Sequence, residues 1–425
     1  MDVKINKLSE TKRELEITMT PEEMEPHLSK VTKEFSENMN IKGFRPGNAP
    51  REMVENTMGK KELWEEAAKE AIKQDYPKII QENNLFTVAQ PKVEIVSLVP
   101  DGEVKYKAEV YVMPEFELPD YKSIAEDTVK NEKTTVETEK KEIDDTLEKI
   151  RESRAKVNKV SREAREGDKV TLNFTGSFEG EEEKKIDEKD FQVTLGKGEL
   201  DVFKGFEENI LGMKEGDKKE FSIEIPVSGE NKSVNFEAEM VSVMEREVPD
   251  ADDEFASTIP DVENIEQLKE KIKEGIEADK KAKESERLKM KVMEEIKKKV
   301  EFEVPEVLID KEIENMLENM KHQVSQSGMS FEEYLKSTNK TEDDLRSEWR
   351  EKAKENVSYA IILHKISEKE DIEVTDEEIE KEVDRHFAAS GRVKEEENEE
   401  NLERMRAHIH DIMKNRKVFE VLSVE

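Results

Sequence analysis

The side chains best placed to do chemistry lie in Gly43-Phe44-Arg45-Pro46-Gly47-Asn48-Ala49-Pro50. Glycine opens backbone angles closed to other residues and proline fixes φ, so this stretch presents a set shape with one aromatic and one cation at its tip. Across residues 41–51 the charges are Lys42, Arg45 and Arg51 with no acidic side chain, a local +3 in a chain of net charge −35. The chemistry on offer is non-covalent docking, with cations set against an anionic partner. The alternative reading of such a composition is an ordinary loop between helices.

Other chemistry finds little support. Paired carboxylates are everywhere among 106 acidic residues, so none stands out as an acid/base couple. His408 and His410 are two residues apart, point to different faces of a helix and have no acidic pair to complete a metal site, so no metal is expected. The absence of cysteine excludes disulfides, thiol catalysis and thiolate metal sites, and agrees with a cytoplasmic location. No phosphate-binding glycine motif is present, so no nucleotide cofactor is expected. Met290, Met293, Met316, Met320 and Met329 suit adaptable contact with varied partners, although methionine is more often core filler.

Composition bounds the partners. At 425 residues the chain is too long for one core, and with 42% charged and 6% aromatic residues it favours helix-rich architecture. The net charge argues against general nucleic-acid binding, so any RNA contact is local. No segment approaches the roughly 20 apolar residues that span a bilayer, and the first residues lack a signal-peptide core.

The elements that position the loop follow from periodicity. Glu14-Leu15-Glu16-Ile17-Thr18-Met19 alternates as a strand, and Thr20-Pro21-Glu22-Glu23 reads as a capping box. Met24, Leu28, Val31 and Phe35 form the buried stripe of the helix that follows, which stops near Asn40. Pro50 opens the next helix and Gly59 closes it. A longer helix carries Leu63, Trp64, Ala67, Ala71 and Ile79. Residues 93–99 and 104–112 alternate around Pro100-Asp101-Gly102 as a hairpin. Beyond Pro114 and Pro119, residues 138–154 form a charged helix with Ile143, Leu147 and Ile150 inward. At Glu166-Gly167-Asp168 the pattern turns to short strands around one short helix. From about Val248 onward it is almost wholly helical.

Seven of the eight loop positions are compatible with the ribosome-docking signature Gly-Phe-Arg-x-Gly-Lys-x-Pro, and the stretch resembles that of the trigger factor family. The resemblance implies ribosome binding through Lys42, Gly43, Phe44, Arg45, Pro46, Gly47 and Asn48. Asn48 stands where the family usually carries Lys, so Arg45 bears more of the contact and docking becomes weaker or more salt-sensitive.

Residues 167–176, Leu195-Gly196-Lys197-Gly198 and Gly205-Phe206-Glu207 are similar, in the correct order, to three landmarks of FKBP-type prolyl isomerases. Twisting an X-Pro amide faces a barrier of about 18–20 kcal/mol and needs neither nucleophile nor metal, only an apolar, water-poor site that favours the twisted amide. The resemblance carries over Phe174, Phe191, Phe206 and Phe236 as walls and Phe203 as the floor. The sequence departs from the family at Phe203-Lys204-Gly205-Phe206, which has about two extra residues before it, and in a short flap after Pro226 that supplies no aromatic.

The resemblance to the trigger factor family covers the whole chain and implies a multidomain α+β protein. Its parts are an N-terminal α+β docking domain (1–113), a linker and arm helix (114–160), an inserted small β-rich FKBP-like domain (161–246) and an extended all-helical C-terminal domain (247–425). The implied function is an ATP-independent chaperone and peptidyl-prolyl cis-trans isomerase. Its implied partners are the ribosome, through exit-tunnel protein and rRNA, and nascent and unfolded polypeptides; no membrane is involved, and a homodimer off the ribosome is left open. The alternatives are a ribosome-independent prolyl isomerase with a helical recruiting domain and a helical scaffold with a vestigial isomerase domain.

Overall fold

The computed structural model describes residues 1–38, 44–178, 181–198, 205–227, 230–394 and 397–424, without the side chains of 181–185, 226, 227, 230 and 231. The chain forms two compact units: residues 1–133 with 285–425, and residues 134–284. The second unit is thus inserted in sequence within the first.

In the first unit, β1 (Asp2–Lys7), β2 (Lys12–Met19), β3 (Lys92–Leu98) and β4 (Val104–Tyr111) form an antiparallel sheet in the order β1-β2-β4-β3. Alternation dictates its buried face: Leu15, Ile17 and Met19 of β2 meet Ala108, Tyr106 and Val104 of β4 in register. Helices α1 (Pro21–Asn38), α2 (Arg51–Met58) and α3 (Lys60–Glu82) supply the apolar stripes that share this core, through Met24, Leu28, Val54, Leu63, Trp64, Ala67 and Ile79. The capping box is present, with the Thr20 amide donating to Glu23 at 2.9 Å and the Glu23 amide to the Thr20 hydroxyl at 3.3 Å. Gly59 ends α2 with φ of 104°.

Two elements go beyond the periodicity reading. Strand β1 lies at the sheet edge, where Ile5 stays exposed. The stretch read as a linker contains α4 (Tyr121–Glu132), started by the Asp120 side chain, which accepts from the Ser123 amide at 3.2 Å. Its Tyr121 and Ala125 pack with Leu288, Val292, Ile296, Ile362 and Val418 of the C-terminal helices.

Those helices include α9 (Glu306–Gln326), α11 (Glu342–Lys369), α12 (Asp376–Ser390) and α13 (Glu399–Val421). The capping boxes at Thr341 and Thr375 start α11 and α12. Ile309, Ile313 and Leu317 of α9 pack on Leu345, Ala353, Val357 and Ile361 of α11, while α12 and α13 share a separate core of Ile379, Val383, Phe387, Ile409 and Met413.

The second unit holds α5 (Lys140–Ser153), whose Leu147 packs with Phe255, Leu268 and Ile272, and a five-stranded antiparallel sheet. In that sheet β9 (Glu230–Glu247) pairs with β6 (Lys169–Phe178) on one side, and with β8 (Lys218–Val227) and β5 (Lys156–Lys159) on the other. The outer strand β7 (Glu181–Thr194) pairs with β6, and the short helix α6 (Phe206–Ile210) packs into the same core.

Candidate functional site

Between α1 and α2, the described part of the loop is pinned to the helix before it. Ser36, in the last turn of α1 and only 2% exposed, holds it twice. Its carbonyl accepts the Gly47 amide at 2.8 Å, and its hydroxyl accepts the Ala49 amide at 2.9 Å. The loop therefore satisfies a carbonyl left open at the helix end. A turn closed by the Asn48 amide on the Arg45 carbonyl, 3.0 Å, completes the fold-back. Gly47 has φ of +85°, and a Cβ there would lie 3.0 Å from Cγ of Glu37. The angle requires glycine, and the space is tight against the Glu37 side chain.

Phe44, Arg45, Pro46 and Asn48 are exposed, whereas Gly47 is half-buried; Lys42 and Gly43 lie outside the described residues. The three cations differ in what they face. Arg51 grips Glu25 of α1 with both terminal nitrogens, Nη1 to Oε2 at 2.8 Å. That hydrogen bond holds the Glu25 carboxyl below its usual range and raises the Arg51 guanidinium. Arg45 makes no ion pair with any described residue, which leaves its guanidinium open to a partner. The local excess of charge is therefore smaller at the surface than the count of +3 suggested, because Arg51 is already neutralised.

In the second unit, Phe174, Phe191, Phe206 and Phe236 come together, with Phe203 outside the described residues. Phe174 meets Phe191 edge-on at 5.5 Å between centroids and Phe206 at 5.1 Å, and Phe206 stands perpendicular to Phe236 at 5.1 Å. Such edge-to-face contacts set positive ring edges against negative ring faces. Register positions two of them, since Phe174 opposes Ala238 and Phe236 opposes Gly176 across β6 and β9. A Cβ at Gly176 would come within 2.7 Å of Cε1 of Phe236, so the ring can lie across the strand only because that residue is glycine.

Burial divides these rings. Phe206, Phe236 and Phe174 are 0%, 2% and 3% exposed and belong to the core, while Phe191 is half-buried. An open cleft of about 660 Å³ has Phe236 on its wall together with Phe221, Gly176 and Thr175. Phe174 instead borders a hollow of about 220 Å³ beside Asp187 and Lys218. Phe221 was not among the expected walls. It stacks on Phe236 at 5.9 Å and 22°, directly across the β8–β9 pairing, and meets Phe206 edge-on at 5.0 Å. Asp187, Glu220 and Glu237 rim the cleft, and no lysine or arginine lines it among the described residues. It offers an amide an aromatic wall beside the hydroxyls of Thr175, Ser177 and Ser222, a more open and polar setting than the water-poor pocket expected.

The cleft's supporting frame is ionic at one end. Asp168, 3% exposed, receives both terminal nitrogens of Arg162 at 2.6 and 2.9 Å and the Arg165 amide at 2.9 Å. Arg162 also reaches Glu245 at 2.9 Å. At α6, Asn209 donates to the Gly205 carbonyl at 2.9 Å and Glu207 accepts the Gly196 amide at 2.9 Å, which fixes the short helix that carries Phe206.

In the first unit, a groove of about 360 Å³ lies over α9 and α11, with Met113, Leu308, Val357, Ala360 and Ile361 as its apolar lining. Of the methionines singled out, Met290 and Met329 are exposed, Met316 and Met320 pack at the edge of the α9–α11 core, and Met293 is buried. His410 sits beside Asp411 at 3.2 Å, and no group of three or more metal-ligating side chains gathers among the described residues. No helix among them is long and apolar enough to cross a membrane.

Comparison with known proteins agrees along the length of the chain. Residues 1–150 match the family model of the bacterial trigger factor protein, residues 264–423 that of its C-terminus, and residues 160–240 that of FKBP-type peptidyl-prolyl cis-trans isomerase. Trigger factor of Caldicellulosiruptor saccharolyticus is 33% identical over 392 residues, covering 91% of this chain and 87% of the relative. Trigger factor of Clostridium botulinum is 30% identical over 386 residues, covering 89% and 88%. A solved structure of the trigger factor chaperone, described for promiscuous substrate recognition in folding and assembly, aligns over 99% of both chains at 22% identity with a TM-score of 0.48. The chain belongs to the trigger factor family, and is a ribosome-associated chaperone for nascent polypeptides that carries an FKBP-type prolyl isomerase domain.

Proposed function

We propose that Phe44 to Asn48, with Lys42 and Gly43, form the ribosome contact, in which Arg45 pairs with rRNA phosphate and Phe44 packs on an exit-tunnel protein. The observation that carries this is the Arg45 guanidinium, exposed on a pinned loop and paired with no carboxylate among the described residues, in a chain of net charge −35. A photo-cross-linking side chain at position 44 should capture both a large-subunit protein and rRNA. Cross-links from control surface positions with none from position 44 would remove the loop from the contact.

The division of labour follows the proposed domains 1–113, 114–160, 161–246 and 247–425. The α9–α11 groove supports a role in holding unfolded segments weakly and without ATP, since it offers an apolar strip set in a strongly charged surface. Prolyl isomerisation is assigned to the cleft walled by Phe236, backed by Phe206, Phe174 and Phe191, with Phe203 in the floor position. A proline ring against the stacked Phe221 and Phe236 would leave its preceding carbonyl to rotate in the open cleft. A cytoplasmic location follows from the ribosome as partner. Off the ribosome, two copies are proposed to pair as a homodimer and cover apolar surface, which sedimentation velocity at micromolar concentration would detect as a concentration-dependent species.

A further inference from the structure

We infer that Ser36, which lies outside the docking motif, is the positioning residue of the docking loop. The inference rests on the reading of that loop as the ribosome contact. A loop whose described residues present the Arg45 cation and the exposed Phe44 ring gains affinity from being held in its bound shape beforehand, because ordering it on contact costs free energy. Ser36 supplies that order through its side chain and its backbone together. Its hydroxyl and its carbonyl take two successive odd-numbered amides, Ala49 at 2.9 Å and Gly47 at 2.8 Å, so the chain on either side of Asn48 is fixed to the end of α1. Burial at 2% exposure keeps water from competing for either acceptor. The Arg51–Glu25 pair braces the far end of the loop against the same helix, so both anchors belong to α1.

The arrangement explains a division among the loop's polar groups. Backbone amides are spent on α1 and the Arg51 charge on Glu25, while the Phe44 and Arg45 side chains are left outward. Ser36 therefore acts through the population of competent loop and not through a contact with the ribosome. Replacing its hydroxyl strands the Ala49 amide and lets the loop sample other shapes, and apparent affinity falls in proportion to the competent fraction. The number of phosphates neutralised does not change, so the salt dependence of binding should keep its slope.

The test is ribosome co-sedimentation of the full chain at several salt concentrations. Ser36→Ala should weaken binding roughly 3- to 10-fold at every salt concentration with an unchanged slope. Ser36→Thr, which restores the hydroxyl, should recover most of it. Isomerase turnover of a proline peptide and the far-ultraviolet circular dichroism should stay at wild-type values. In a Phe44→Ala/Arg45→Ala background, Ser36→Ala should add nothing further. If Ser36→Ala binds like wild type while Phe44→Ala/Arg45→Ala loses binding, the positioning role is wrong and the docking reading stands. A reduced slope in Ser36→Ala would likewise overturn it, by showing that charge contacts were lost. If Phe44→Ala/Arg45→Ala binds like wild type, the docking reading itself fails.

Discussion

The ring of Phe236 lies across Gly176 on the neighbouring strand, so close that a Cβ at 176 would meet Cε1 at 2.7 Å. The aromatic wall of the cleft therefore depends on a residue with no side chain. Gly176→Ala should push Phe236 off its stack with Phe221 and cost about 1–3 kcal/mol through overpacking. Isomerase turnover should fall with it. Denaturant unfolding and a proline-peptide assay on the same sample would check both.

Phe221 and Phe206 should respond differently to truncation. Phe206 is fully buried and touches Phe174, Phe221 and Phe236, so Phe206→Ala should cost about 3–5 kcal/mol and lower activity by unfolding the domain. Phe221 is half-buried on the cleft wall. Phe221→Ala should therefore lower turnover more than stability. Equal loss of both in the two variants would show that Phe221 acts only as core.

Arg51 and Arg45 separate a structural cation from the proposed docking cation. Arg45→Ala should lower the salt slope of ribosome binding by about 1, because one phosphate contact is lost. Arg51→Ala should leave that slope in place, since its charge is already taken by Glu25. Binding measured across a salt series reads the difference directly.

Acid should weaken the pairing of α12 with α13. The Glu378 carboxyl is drawn down to about 2, first by the Lys417 ammonium and then by the Thr375 amide. A carboxylate with a depressed folded-state value contributes stability that is present above the usual range near pH 4 and is lost as the pH falls toward 2. Glu378→Gln should flatten the pH dependence of unfolding over that window while changing little at pH 2. Urea titrations followed by a probe on α13 would measure it.

Much of this was legible in the sequence because it depends on local pattern. The stripe of α1, the capping box at Thr20, the hairpin of β3 and β4 and the α9 and α11 stripes all come from spacing that each segment carries by itself. What was missed depends on partners distant in sequence. Strand β1 has only Val3 and Ile5 on one side, of which Val3 packs partly against the core and Ile5 stays exposed, so edge pairing with β2 does most to hold it. Helix α4 carries Tyr121 and Ala125 at helical spacing, but their burial against Leu288 and Val418 appears only in the fold. Phe221 was visible as a strand residue; its place on the cleft wall follows from the register that sets it opposite Phe236. In the loop after α1 the motif pointed to Phe44 and Arg45, while Ser36 and the capture of Arg51 by Glu25 required the helix and loop to be seen together.

The central claim is that Phe44 and Arg45 carry the ribosome contact. Co-sedimentation of wild type and Phe44→Ala/Arg45→Ala with ribosomes from low to high salt tests it most directly. The account predicts that wild type binds with a clear salt dependence and that the double variant binds at least 10-fold more weakly with a shallower slope. Equal affinity and equal slope for the two proteins would contradict it.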